Sequence, residues 1–376
     1  MTTPLAGIRV VEFGHYIAAP AATQLLSDLG AEVIKVEPPD GDQARGIGAY
    51  GEGIVLAFNR GKRSVVLDLR RAEDRSTALS LIAEADVVVQ NLRAGALARF
   101  GLGPDDLRSA YPRLVYVSVS GFSPKGPSAH RPGLDIAAQA ESGLMSINGE
   151  HDGDPLRVGF PIADVAASYA VVQAVLAALL RRERTGEGGV AEVSLLDAAI
   201  HLQSAMWGEW HVSGREPRRK GNGQATVAPA ADLVRTADGT IVLSAYTPDH
   251  FARLCRLIDK TWMLDDPRFA DNPSRVANRE ALLSEISQAL GVLPTEKCLA
   301  LLADHGIVAA AVRTYGEVAE AADVRAGGIL TTGIGPDGDR YAIPSLPFTL
   351  DGVAPAADRA VPRPGAHSDA PTWSEP

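Results

Sequence analysis

Cysteine is nearly absent: a chain of 376 residues carries two, Cys255 and Cys298. Both lie in helix-like apolar segments without metal-ligand spacing, which excludes a disulfide scaffold and a cysteine-based zinc site. They read as buried thiols of a reducing cytosol, so a cytoplasmic location is expected. A basic excess is missing too. Lys+Arg total 36 against Asp+Glu 46, a net charge of −10. A nucleic-acid binder of this size shows a basic field, so no nucleic-acid partner is expected. No apolar run reaches the ~20 residues of a membrane span, so no membrane partner is expected either. The start, MTTPLAGIRVVEF, lacks a basic region followed by an apolar one, and no secretory signal is visible. There is no repeat with a period of about 20–50 residues. There is no H-E-x-x-H or comparable cluster, so no metal is assigned. His201 lies on an apolar helix pattern and reads as a packed core or interface histidine.

What is present fits a globular enzyme: 46% hydrophobic and 22% charged residues. At ~150 residues per domain the length suggests two or three domains. From Ile8 to Phe122 the chain alternates strand and helix patterns. IRVVEF is followed by the small-residue helix AAPAATQLLSDLG, stopped by Gly30, and then AEVIKVE. RSVVLDL, a helix over Glu73–Glu84 and DVVVQN repeat the unit, and a helix at Asp105–Ala110 before LVYVSVSG repeats it again. Strands joined by helices predict an α/β fold, an open doubly wound parallel sheet with helices on both faces. A ligand then sits beyond the carboxyl ends of the strands, which carry Gly14-His15-Tyr16, Asn91-Leu92-Arg93 and Ser120-Gly121-Phe122.

The middle predicts a helix over GLDIAAQAESGLMS and a long apolar helix from Ala163 to Arg184. GGVAEVSLLDAAIHLQSAMW gives a strand and a helix. A polar, basic, glycine-rich loop follows, then a hairpin turning at Asp238-Gly239. Pro248 to Ala326 reads as helical, LTTGIGPDGDRYAI as a second hairpin, and the tail from Val353 as draping over the surface. The expected division is a large α/β domain over 1–225 with a return at 327–376, and a smaller α+β domain over 226–326.

The first βαβ unit invites a dinucleotide-binding reading, because Glu37 ends the second strand where a ribose-binding acid would sit. The preceding loop lacks G-x-G-x-x-G and has bulky residues where a pyrophosphate needs close backbone approach, which makes that reading remote. Asp164 opens the long apolar helix. One reading is an N-cap or first-turn acid. The other is a carboxylate held ionised by helix-start amides in an apolar pocket, a nucleophile.

L-x-G-I-R-V-V-E-F-x-x-x-x-A-x-P, followed by L-L-S-D-L-G-A-E-V-I-K-V-E-P-P-x-G-D, resembles the class III CoA-transferase family, the CaiB/BaiF group. So do Asn59-Arg60-Gly61-Lys62-Arg63-Ser64, the run Arg93-Ala94-Gly95-Ala96-Leu97, and Gly133-Leu134-Asp135-Ile136 with Gln139-Ala140 and Ser142-Gly143. The loop before Asp164, R-T-G-x-G-G after its helix and Gly221-Asn222 complete a series that runs in order over essentially the whole chain.

The resemblance implies a Rossmann-like large domain, a smaller domain and an interlocked homodimer. It implies acyl-CoA and a small carboxylic acid as substrates, with no permanently bound cofactor. Asp164 would attack the thioester to give an aspartyl-acyl anhydride and then an aspartyl-CoA thioester. At the matching positions Lys62 and Arg63 would lie at the sheet rim near the nucleotide end of CoA. Asn91, Leu92 and Arg99 would line the same crevice, and Arg45 would be a further phosphate cation. His15, Tyr16, Ile17 and Ala18 would border the pantetheine arm. Gly221-Asn222-Gly223 is either a mobile cover or a plain linker. The family's racemases carry His at the position of Leu134. Leucine cannot move a proton, so transfer is favoured over racemisation. Formyl-CoA transferase-type members carry Gln at Ile17 and Tyr at Leu134, so an oxalate/formate specificity is not expected. Where many members have Pro-Tyr this chain has Pro229-Ala230, which would widen an acyl pocket. A CoA-binding protein without turnover is the other alternative.

Overall fold

The computed structural model describes residues 3–222, 230–245, 247–354 and 359–374. They fold as two compact units. One comprises residues 1–145, 157–215 and 322–376, and the other 146–156 and 216–321. The smaller unit therefore begins at Glu216 rather than at 226, and it also takes in a short segment from the middle of the chain.

In the first unit, valine-rich runs form β1 (Arg9–Phe13), β2 (Glu32–Glu37), β3 (Arg63–Val66), β4 (Val87–Gln90), β5 (Val115–Ser120) and β6 (Gly189–Ser194). All pair in parallel, in the order β3-β2-β1-β4-β5-β6. The intervening helices are α1 (Ala18–Asp28), α2 (Gly48–Phe58), α3 (Ala72–Ala83), α4 (Pro104–Ala110), α5 (Asp135–Glu141), α6 (Leu144–Ile147) and α7 (Ile162–Thr185). After β6 come α8 (Leu195–His201) and α9 (Ser204–Ser213). Alanines of α1 and α7 cover one face of the sheet together with Val10, Val33, Val117 and Val119. Ala78, Leu81, Ile82 and Leu107, from α3 and α4, cover the other with Val11, Ile34 and Val88. Each fully buried Val, Ile or Leu contributes ~1.5–3 kcal/mol.

Three expectations need correction here. The helix expected over GLDIAAQAESGLMS breaks at Ser142-Gly143, because Gly143 takes a left-handed φ of 86°. The tail does not merely drape: His367 and Gly365 bond the backbone and hydroxyl of Ser64, Ser368 bonds Val66, and Trp373 is buried with its indole N–H on Leu81 O. It covers the β3 edge, which would otherwise present unpaired backbone. Finally, α7 is long and apolar enough to cross a membrane by length and composition, with mean hydropathy 1.8 over 18 residues. Its Ala163, Ala167, Val171, Val175 and Leu179 instead pack into the core of the sheet.

The second unit holds β7 (Ala231–Arg235), β8 (Thr240–Ser244), α10 (Pro248–Leu257), α11 (Asn272–Ala277), α12 (Arg279–Leu290), α13 (Thr295–Asp304), β9 (Val308–Ala311) and α14 (Tyr315–Glu320). The expected hairpin is present, and β9 adds to it antiparallel, inside a stretch read as helical throughout. Ile241 and Leu243 pack on Phe251, Leu254, Ile286 and Leu302 of the covering helices. Back in the first unit, α15 (Ala322–Gly327) leads into the second expected hairpin, β10 (Leu330–Ile334) with β11 (Arg340–Pro344).

Candidate active site

The strand order reverses between β1 and β4, so a crevice opens at their carboxyl ends. Two side chains shape its floor. Asn91 accepts from His15 N and donates to His15 O, both at 2.9 Å, which carries the link between β4 and β1 past the ends of both strands. Asp42 accepts from Tyr16 N at 3.1 Å and from Ala44 N at 2.9 Å. Between these clamps Tyr16 sits at φ 60°, an uncommon conformation for a bulky residue, held by bonds on both sides. Ile17 and Ala18 are buried in the core, and α1 begins there without a side-chain cap or a first-turn acid. Gly14 has room for nothing larger: a Cβ would meet Glu12 Oε1 at 2.8 Å and Ala19 Cβ at 3.1 Å.

Beneath the loop lies a charge network with no solvent access. Lys35 Nζ contacts Glu12 Oε1 at 2.6 Å, Asp42 Oδ2 at 2.8 Å and Gly14 O at 2.7 Å. Lys62 Nζ contacts Glu12 Oε2 at 2.7 Å, Pro20 O at 2.8 Å, Thr23 Oγ1 at 2.8 Å and Asn59 Oδ1 at 3.3 Å. The rim placement of Lys62 is thus corrected. Its ammonium is folded inward under α1, where it is the second cation on the buried carboxylate of Glu12, beside Lys35. Two ammonium groups hold Glu12 below the usual carboxylate range, whereas burial and Lys35 push Lys62 down to about 8.

Arg63 is corrected as well. It opens β3 and turns to Glu32 Oε1 (3.4 Å) and Ala370 O (3.4 Å), toward the amino ends of the strands and away from the crevice. Arg45 keeps its place near the loop but forms two 3.0 Å bonds with Glu37. Glu37 also accepts from Ser64 Oγ and Asp42 N, leaving it unavailable to a ribose. Leu92 is half-buried after β4, and Arg99 is exposed on the short turn beyond it. Gly221 and Asn222 belong to the second unit; Gly223 and Pro229 lie outside the described residues.

Asp164 is the third residue of α7. Because α7 runs from β5 back to the start of β6, its first turn lies on the carboxyl-end side of the sheet. The residue before the helix, Pro161, offers no cap. Asp135 supplies one from a separate helix: its Oδ1 accepts from Ala163 N at 2.7 Å and Asp164 N at 3.4 Å. Asp164 is therefore not the cap, and among the described residues its carboxyl has no hydrogen-bond partner. The helix-start amides also do not hold it ionised. Burial, together with the charge of Asp135, pushes it up to about 7. Asp135 reaches this position through a close approach of two glycines. A Cβ on Gly121, just past β5, would stand 2.5 Å from Gly133 Cα.

In the sequence Asp135 and Gln139 stand only as parts of a motif, with no role of their own. Their i, i+4 spacing at a helix start was the available signal, since such residues share a face.

This is an α/β protein whose switch-point crevice stands on the same side of the sheet as an unpartnered carboxyl at a helix start. The chain belongs to CoA-transferase family III, whose sequence model matches residues 5–368, and it is a class III CoA-transferase. It is 39% identical over 334 residues to the probable fatty acyl-CoA transferase Rv3272 of Mycobacterium tuberculosis, covering 84% of each chain. It is 34% identical over 377 residues to the succinyl-CoA:mesaconate CoA-transferase of Haloarcula hispanica, covering 97% of this chain and 92% of the relative. The crystal structure of a CaiB/BaiF family protein from Brucella suis superposes with a TM-score of 0.88 at 33% identity, over 98% of both chains.

Proposed function

We propose that the enzyme moves CoA from an acyl-CoA thioester to a small carboxylic acid, with Asp164 as the nucleophile. The observation that carries this is the half-buried carboxyl of Asp164, left without a hydrogen-bond partner among the described residues by the Asp135 cap. An ionised Asp164 oxygen attacks the thioester carbonyl, the C–S bond breaks, and CoA leaves as the thiolate. The thiolate attacks the aspartyl carbonyl of the anhydride, the donor acid leaves as carboxylate, and an aspartyl-CoA thioester remains. The acceptor carboxylate attacks that thioester, and thiolate return to the acceptor's acyl carbon releases the new acyl-CoA and free Asp164. Each step exchanges one activated carbonyl for another, so no ATP is needed. The partial burial that raises Asp164 also limits the access of water to the anhydride.

His15, Tyr16, Ile17, Ala18, Asn91 and Leu92 border the pantetheine arm, and Arg99 meets a phosphate. The buried Lys62 and the Glu37-bound Arg45 support the crevice without meeting CoA directly, and Arg63 stands apart from it. Acceptors are small mono- or dicarboxylic acids, the chemistry named for the relatives. Leu134, exposed just before α5, supplies no second proton-moving group for racemisation. The enzyme works in the cytoplasm, where the buried thiols Cys255 and Cys298 stay reduced. It is an interlocked homodimer. The exposed apolar stripe Tyr169, Leu176 and Leu180 on α7 and the exposed Trp207 and Trp210 on α9 supply surface for the partner.

The test incubates the protein with acetyl-, succinyl-, glutaryl- or palmitoyl-CoA and a panel of acids, then adds hydroxylamine. Acyl exchange and a hydroxamate at Asp164, both lost in Asp164→Ala, are expected. CoA binding without exchange or trapping would overturn the transferase mechanism.

A further inference from the structure

Helix α7 starts without local help, since Pro161 carries no capping group. An acid at the third helical position can turn back onto the free amides of its own first turn. Had Asp164 done so, its oxygens would be committed to the backbone. Asp135 removes that option. One of its oxygens accepts from Ala163 N and Asp164 N, and the other accepts from Gln139 Nε2 at 2.6 Å. Gln139, with no exposure, accepts in turn from Val158 N at 2.9 Å. Two side chains one turn apart on α5 thus grip both the loop entering α7 and the start of α7 itself.

We propose that Asp135 is a positioning residue for the exchange reaction: by capping α7 from a separate helix it keeps both oxygens of Asp164 free for the thioester carbon. This rests on the assignment of Asp164 as nucleophile. Asp135 acts through Asp164 and touches no reacting atom. It also places a like charge beside the nucleophile. Helix α7 packs against α1, α5, α8, β5 and β6. Their other titratable groups are Asp28, bonded by Gln24 and Arg60; Glu141, paired with Arg131; Tyr116, whose hydroxyl donates to Leu102 O; and Asp197, His201 and Glu192. Of these charges, Asp135 is the one that acts on Asp164.

The experiment compares Asp135→Asn and Asp135→Ala in the full-length enzyme, with the best donor from the acyl-CoA panel. Both variants lose the charge and the acceptor for Gln139, and only Asn retains an oxygen for Ala163 N. In both, the pH midpoint of kcat moves down by about one unit, because a like charge is gone. In Asp135→Ala, kcat falls about 10–100-fold with KM for the donor changed less than about threefold, the mark of lost orientation. Asp135→Asn recovers most of that loss. A second arm needs no activity: thermal melts at several pH values of native, Asp135→Asn, Asp164→Asn and the double variant. Non-additive Tm shifts above pH 7 are expected if the two carboxyls interact. Additive shifts with an unmoved kcat midpoint overturn the proposal, as does an Asp135→Ala enzyme with native kcat. If Asp135→Ala does not fold, Asp135→Ser and Asp135→Asn carry the comparison. If Asp164→Asn retains turnover, the nucleophile assignment fails, and the melts still decide whether the two carboxyls interact.

Discussion

Lys62 Nζ lies 2.7 Å from Glu12 Oε2, and neither side chain reaches solvent. Adjacent residues at the start of β3 thus have different destinations, Lys62 inward under α1 and Arg63 toward the strands' amino ends. Such a buried ion pair is a structural element of the crevice floor, not a waiting phosphate site.

Lys62→Ala should therefore act on stability. It leaves Glu12 buried with Lys35 as its remaining cation, and breaking a buried pair costs about 3–5 kcal/mol. Urea unfolding should show a lower midpoint, while KM for acyl-CoA should keep its native salt dependence. Native stability with a KM that has lost its salt sensitivity would return Lys62 to the phosphate.

The strands were legible because β-branched runs bounded by glycine leave little choice of structure. Helix α2 was missed because Gly48, Gly51 and Gly53 dilute its pattern. Strand β9, VAAA, carries no β signal beyond one valine; its pairing with β8 makes it a strand. The loops of the crevice and the position of Asp164 were legible as strand ends and a helix start. The contacts of Lys62 with Glu12, of Arg63 with Glu32 and of Asp135 with Ala163 were not, because they join residues tens of positions apart and depend on how elements cover one another.

Asp164→Asn should abolish exchange and stabilise the fold. In the unfolded chain an aspartate titrates near 3.8; in the fold Asp164 titrates near 7. Below both values the two states bind the proton equally. Between them the folded state holds a proton that the unfolded state releases, so this residue's contribution falls as pH rises and stays low above 7. Asparagine has no such loss. At ~1.4 kcal/mol per unit the ceiling is about 4 kcal/mol, and partial exposure brings the expected gain to about 2 kcal/mol above pH 7. Melting curves of both proteins at pH 4, 6 and 8 would check it; parallel curves would count against a raised carboxyl.

Asn91→Leu should loosen the β1 loop. It removes an acceptor from His15 N and a donor from His15 O, each a bond of ordinary length. Losing them costs about 1–3 kcal/mol and frees Tyr16 from one of its two clamps. KM for acyl-CoA should rise about tenfold, with kcat reduced less, because the loop borders a non-reacting part of the substrate. Steady-state kinetics with the best donor decides it: an unchanged KM would mean that the loop holds its shape through Asp42 alone.

Gly121→Ala should damage the site without touching a side chain in it. Gly121 does not have a left-handed φ, so an alanine there meets no backbone strain. The obstacle is space: its Cβ would lie 2.5 Å from Gly133 Cα and 3.1 Å from Gly133 O, both backbone atoms that no rotamer change can move. Relief requires Gly133 to retreat, and Asp135, two residues on, must follow. Overpacking of this kind costs about 1–3 kcal/mol. The cap on Ala163 N should lengthen, and exchange and hydroxylamine trapping at Asp164 should fall together, with CoA affinity less affected. Gly126→Ala is the control. Its Cβ would meet Ser123 O at 3.5 Å, an ordinary contact, and it should behave like the native enzyme. If Gly121→Ala melted and turned over like Gly126→Ala, the glycine contact would not be what sets the position of Asp135.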